Sequence, residues 1–229
     1  MNKARLLERT ALPLFLTHKN KYPWGLLMFA TGSALYLATN HFQITAPHRL
    51  PLLWLDRAFP FIPGTVWIYN SEWIFLPAAY LRCRDLVNLN KFLYSYLALQ
   101  LTCMAVFIAW PTTYPRESYP LVPAATNEWT YAAFNNLRQM DMATNCCPSL
   151  HVAGLYLAIL LYSKGPRRDL LIFLVWGMFI TISTLTTKQH YVIDVIAGFL
   201  IAGLIHRVFR HQVVYRTSGS QRGGNDPMD

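Results

Sequence analysis

From Phe92 to Trp110 the chain runs nineteen residues without a charged side chain. A stretch that long matches a helix crossing the ~30 Å hydrocarbon core of a bilayer. In lipid it must be helical, because no water is there to satisfy open backbone groups. Five further apolar blocks accompany it: Trp24 to Thr39, Thr65 to Leu81, Ser149 to Tyr162, Leu170 to Thr187 and Tyr191 to Ile205. With 54% hydrophobic and 14% charged residues, against about 25% charged in soluble domains, the chain lacks the charge for a polar shell. Disorder, coiled coil and a disulfide scaffold are excluded by the same counts. The expected fold is all-α, an integral membrane bundle of six transmembrane helices.

The basic residues sit in short clusters between the blocks instead of in one stripe, which argues against nucleic acid as a partner. If both termini share a side, that side carries fifteen of the 20 Lys and Arg, and the other keeps only Arg49, Arg57, Arg116, Arg138 and Lys188. By the positive-inside rule both termini are then cytoplasmic. Short loops fit a plasma (inner) membrane. Trp24, Trp67, Trp73 and Trp110 are expected as interface anchors.

Three regions follow: a basic N-terminal segment (1–21) that could lie flat on the membrane, a six-span domain (22–207), and a flexible cytoplasmic tail (208–229) ending in a Gly/Ser/Asn-rich run. No cleaved signal is predicted, since the apolar run Ala11 to Leu16 is too short for one. Cys83, Cys103, Cys146 and Cys147 are read as free thiols.

An ionisable residue near the bilayer centre costs about 2.5–3.5 kcal/mol on insertion scales, so each one asks for a reason. The topology gathers His151, His190 and Asp194 at the non-cytoplasmic face. His190 and Asp194, four residues apart, share one side of a helix start. Such a pair can be a buried structural contact, two ligands of a metal site, or a catalytic unit. As a catalytic unit it supports phosphoryl transfer: an imidazole attacks phosphorus while a carboxylate holds its opposite N–H. A second histidine then protonates the leaving alkoxide. Ser149 and nearby amides open a helix, which suits an anion. Arg116, Arg138 and Lys188 are the cations left on that face. Glu72, inside the second block, is expected to serve helix packing or the interface.

These residues resemble the type-2 phosphatidic acid phosphatase superfamily. Its second motif, usually Pro-Ser-Gly-His, is similar to Pro148-Ser149-Leu150-His151, and its third closes His-x-x-x-Asp, as His190 to Asp194 do. The resemblance spans roughly residues 60–207. It implies His190 as nucleophile, Asp194 as its orienter, His151 as general acid/base and Ser149 as a phosphate ligand. The first motif departs from the family, with Ala109 where Lys is usual and Glu117 in place of Pro after Arg116; in the third, Thr184 replaces Arg. Lys188 or Arg138 would have to substitute as phosphate-holding cations.

Those losses and Leu150 are closer to the inositol-phosphorylceramide and sphingomyelin synthase branch, whose members move a phospho-head group between lipids. A phosphodiester carries one fewer negative charge than a monoester and needs fewer cations. The expected activity is therefore a metal-independent lipid phosphatase or head-group phosphotransferase without a cofactor. Its substrate is a lipid phosphate or phospholipid, and its acceptor is a lipid or water. The alternative is a non-catalytic relative, a transporter or a lipid-binding assembly partner; a metal- or haem-binding span protein comes last.

Overall fold

A computed structural model describes residues 11–211 and 213–217. The order among them is β1 (Ala11–Leu14), α1 (Lys21–His41), β2 (His48–Arg49), α2 (Trp54–Ala58), α3 (Val66–Asn70), α4 (Glu72–Arg82) and α5 (Leu86–Ala109). There follow β3 (Thr112–Thr113), α6 (Glu128–Met140), α7 (Leu150–Leu160), α8 (Arg167–Thr186), α9 (Val192–His211) and β4 (Val214–Thr217). The chain is mostly helical, and α5, α8 and α9 are each long and apolar enough to cross a membrane.

The other three expected blocks take different forms. α1 has 21 residues, but Gly25, Thr31, Gly32, Ser33 and Asn40 dilute its hydropathy. The block from Thr65 to Leu81 is bent at Ser71 into α3 and α4. There the Ser71 hydroxyl donates to the Ile68 carbonyl at 2.6 Å and accepts the Trp176 indole N–H at 2.9 Å; such back-bonding competes with the helical ladder and bends it. α7 is apolar but only 11 residues long, a rise of about 16 Å.

α7 is the centre of the molecule and packs against α4, α5, α8 and α9. Val152, Ala153, Leu155, Leu157 and Ala158 are all buried along it. Closest contact is with α9, where Gly198 leaves room for a backbone: a Cβ there would lie 2.6 Å from the Ser149 carbonyl oxygen. The outer faces of α8 and α9 stay apolar, with Val175, Met178, Phe179, Leu200 and Leu204 exposed. A soluble monomer rarely shows so continuous an apolar face. Trp24, Trp67, Trp73 and Trp110 are exposed too.

Two small parallel sheets depart from the all-α expectation. β1 pairs with β4, from Ala11 beside Val214 to Leu14 beside Thr217. The first and last described segments are therefore neighbours. The Asn90 side-chain oxygen accepts the amides of Phe15 and Leu16 at 3.0 and 3.3 Å, and the Tyr94 hydroxyl donates to the Pro13 carbonyl. That pairing is why residues 11–14 form a strand, and why 214–217 are ordered beyond an α9 that runs on to His211. Lys3, Arg5, Arg9 and the Gly/Ser/Asn-rich tail past 217 lie outside the described residues. The second sheet joins β2 to β3, with Thr112 also bridging to Asn145. It draws together three connections at the end of the bundle where α7 and α9 begin.

Candidate active site

α7 and α9 both start at that end, and their first turns meet. Ser149 caps α7, its hydroxyl accepting the Val152 amide at 3.3 Å, while its own amide donates to the Asp194 carbonyl at 3.0 Å. A serine at this position contributes about 1 kcal/mol to helix stability. Here it also fixes α7 against the first turn of α9. Ser149 and Asp194 are fully buried, and His190 nearly so.

Asp194 is held by three donors. Its Oδ2 accepts from His190 Nδ1 at 2.9 Å and from the Tyr191 amide at 3.1 Å; its Oδ1 accepts the Tyr114 hydroxyl at 2.5 Å. Burial, and then the Asp194 charge, push the Tyr114 phenol far above its usual range, so it remains a donor. His190 Nδ1 also faces the Cys146 carbonyl at 3.2 Å. With two oxygen acceptors beside it, Nδ1 must carry the hydrogen, and Nε2 is left with its lone pair.

His190 Nε2 lies 3.4 Å from Nδ1 of His151. The far nitrogen of His151 meets the Tyr69 hydroxyl at 2.9 Å and Glu72 Oε2 at 3.2 Å. An unbroken line of contacts thus runs from Tyr114 through Asp194, His190 and His151 to Glu72. Glu72 and Tyr69 were not anticipated at the site. The available signal was a carboxylate within an apolar block. Among the described residues, no three His, Cys, Asp or Glu side chains converge as metal ligands.

A cavity of about 400 Å³ opens beside His151 and Glu72, among α1, α4, α5, α6 and α7. Phe29, Leu76, Tyr96 and Leu150 give it a largely apolar wall, and Asp141 and Glu72 are its acids. Arg116 stands at Asp141: one guanidinium nitrogen donates to the Asp141 carbonyl, and the other lies 3.7 Å from its carboxylate. Tyr36 donates to the same carboxylate at 2.5 Å.

The remaining two cations are used elsewhere. Lys188 is buried, and its ammonium donates to the carbonyls of Asp56 at 2.7 Å and Phe59 at 2.6 Å. Burial lowers its pKa. Asp56 Oδ1 accepts the Val192 amide at 2.7 Å, and the Ile62 amide donates to the Thr186 carbonyl. The Pro-rich connection after α1 therefore clamps the turn that carries His190. Arg138 donates to the Tyr119 carbonyl at 2.8 Å and lies over Phe134; burial, then Arg116, lower its pKa. Of the anticipated site residues only His151 lines the cavity; Lys188, Arg138, Arg116, Ser149, His190 and Asp194 do not. At Thr184, where the family's arginine would stand, the backbone carbonyl accepts the amides of Gln189 and His190.

No curated protein sequence matches the chain. A family model does, over residues 34–208, a stretch that holds both histidines, Asp194, Ser149 and the helices that position them. On that match the chain belongs to the PAP2 superfamily, and this supports a membrane enzyme of the lipid phosphate phosphatase type.

Proposed function

We propose that the chain transfers or hydrolyses a lipid-linked phosphate or phospho-head group through a phosphohistidine on His190. The observation that carries this reading is the contact line Asp194–His190–His151–Glu72. His190 Nε2, unprotonated because Nδ1–H is given to Asp194, attacks phosphorus; the N–P bond forms as the P–O bond to the leaving group breaks. His151 gives its Nδ1 proton to the departing oxygen, and Glu72 and Tyr69 hold its other nitrogen. In the second half, His151 takes the proton of an incoming water or alcohol, which attacks phosphorus and frees His190. Asp194 stabilises the histidinium throughout. The opening turn of α7, capped by Ser149, suits the non-bridging oxygens, and Arg116 is the anticipated cation that contacts a cavity-lining residue, Asp141. No metal or cofactor enters these steps.

The membrane frame belongs to the same reading: six spans, both termini cytoplasmic, the histidines on the non-cytoplasmic face of a plasma (inner) membrane. The charge bias between the loops supports it. So does the pairing of β1 with β4, which sets the two described ends side by side.

Between hydrolysis and transfer, the cation count favours a phosphodiester. Lys188 and Arg138 serve protein carbonyls, and Arg116 is shared with Asp141, an arrangement better matched to one negative charge than to two. This is the chemistry of the inositol-phosphorylceramide and sphingomyelin synthase branch. The same observation also favours a second reading, a lipid-binding or transport protein that has lost turnover.

The test is phosphate release from lipid monophosphates and diphosphates in detergent, wild type against His190→Ala. Release that vanishes in the variant establishes a phosphatase. Silence from both directs the assay to phosphodiester donors with ceramide or diacylglycerol as acceptor. Lipid binding without turnover, unchanged in His190→Ala, would sink the catalytic reading.

A further inference from the structure

At the opposite end of the bundle, the start of α5, the end of α7 and the last turns of α9 enclose a second cavity, of about 290 Å³. Lys91, Lys164, His206, Arg210 and His211 line it, and no Asp or Glu is among its lining residues. Lys91, His206 and Arg210 are half-buried. Arg210 stands 3.5 Å from His206 Nε2, and Lys91 lies over the Tyr215 ring at 5.2 Å. Among the described residues none of Lys91, Lys164 or Arg210 forms an ion pair. Arg82, at the same end, takes Asp169 at 3.1 Å.

Two helix C-termini account for part of this. The carbonyl ends of α7 and α9 attract cations, at about 0.3–1 kcal/mol each near the surface. That explains one basic residue per helix end. It does not explain three permanent cations, Lys91, Lys164 and Arg210, with two histidines beside them, facing one concave space lined by no Asp or Glu, where each charge raises the cost of its neighbours. Ser95 and Asn88 add a hydroxyl and an amide to the wall.

The position along α9 sets the source of the missing charge. Asp194 lies in its first turn and Arg210 in its last; sixteen residues at ~1.5 Å each separate them by about 24 Å, most of a bilayer core. The cavity therefore sits at the leaflet opposite His190. Under the topology above that is the cytoplasmic leaflet, whose anionic head groups are drawn to basic pockets between helices.

We infer that this cavity is a second, non-catalytic site that binds a phosphate-bearing anion, with Lys91, Arg210 and Lys164 as its ligands and an anionic phospholipid head group as its source. It owes nothing to the reaction assigned to His190, and its test reads no turnover.

Full-length protein in a neutral detergent is titrated with short-chain phosphatidylglycerol, inorganic phosphate or phosphatidylcholine, and thermal unfolding is followed. Wild type should gain Tm saturably with phosphatidylglycerol, beyond any gain from phosphatidylcholine, a zwitterionic phosphodiester that only the site at His190 would take. The titration midpoint should weaken about tenfold or more in Lys91→Ala/Arg210→Ala, since each charge-assisted contact to phosphate is strong, and stay unchanged in His190→Ala. Should the double variant fail to fold, Lys164→Ala, on an exposed turn, must alone weaken the midpoint several-fold. Saturation by inorganic phosphate with the same residue dependence supports the site and names the free anion as its source. A response to phosphatidylglycerol that is absent, equal in all variants, or lost only in His190→Ala overturns the inference.

Discussion

Glu72 Oε2 lies 3.2 Å from Nε2 of His151, on the side of the ring away from His190. Each histidine of the pair is therefore backed by its own carboxylate, Asp194 behind His190 and Glu72 behind His151. Under the proposed mechanism the second carboxylate stabilises the cationic form of the acid. Glu72→Gln should lower turnover about ten- to a hundredfold, part of the span ascribed to general acid–base catalysis, with Tm close to wild type. An unchanged rate would return Glu72 to a packing role.

Asp194→Asn keeps the shape but removes the charge that stabilises the histidinium. Turnover should fall by about 10³–10⁴, by analogy with other Asp–His pairs. Tyr114→Phe removes only one of the three donors on Asp194. Its expected loss is about 1.5–3 kcal/mol of stability, the usual worth of a hydrogen bond to a charged group, with a smaller loss of rate. Thermal unfolding and kinetics on both variants separate the two roles.

Gly198→Ala places a Cβ 2.6 Å from the Ser149 carbonyl oxygen, so α9 must move off α7. Overpacking of this kind costs about 1–3 kcal/mol, and because His190 and His151 sit on these two helix starts, activity should fall along with Tm. Gly203→Ala, whose Cβ would meet Tyr156 at an ordinary 3.8 Å, is the matched control and should change neither.

Burial, then Asp194, push the Cys147 thiol up to about 12, and burial drives Cys146 up as well. A raised thiol pKa keeps the neutral form at physiological pH, and the thiolate is the reactive form. Iodoacetamide should leave both residues of the folded protein unmodified up to pH 9 and label them readily after denaturation. Labelling at pH 7.5 in the folded state would contradict the burial.

The phosphohistidine route uses no metal, so EDTA should leave turnover intact. Loss in EDTA with recovery on adding Zn²⁺ would remove the nucleophile role from His190.

The residues whose partners are near in sequence or fixed by the helix period were the legible ones. His190 and Asp194, one turn apart, meet as the i, i+4 spacing predicts. Ser149 could be anticipated at a helix start, since a serine in that position is a capping signal, and it caps α7. Glu72 reads locally as a packing or interface residue because its partner is His151, far along the chain, and nothing local points there. In the sequence Lys188 and Arg138 read as phosphate-holding cations; Lys188 bonds carbonyls at Asp56 and Phe59, and Arg138 one at Tyr119, contacts that exist only once distant connections fold together. The long apolar blocks around α5, α8 and α9 could be read from composition alone. The bend at Ser71 could not, because it depends on Trp176 from α8.

Lys188 and Val192 both lean on the short segment from Asp56 to Phe59. The turn presenting His190 is thus splinted from outside, by a stretch that contributes no atom to the histidine line. A protease nick between Phe59 and Val66 would leave every proposed catalytic residue on one fragment, covalently intact, and cut from it the brace that aims His190. Loss of function from damage there would look like a lesion at His190 while lying more than a hundred residues from it in the chain.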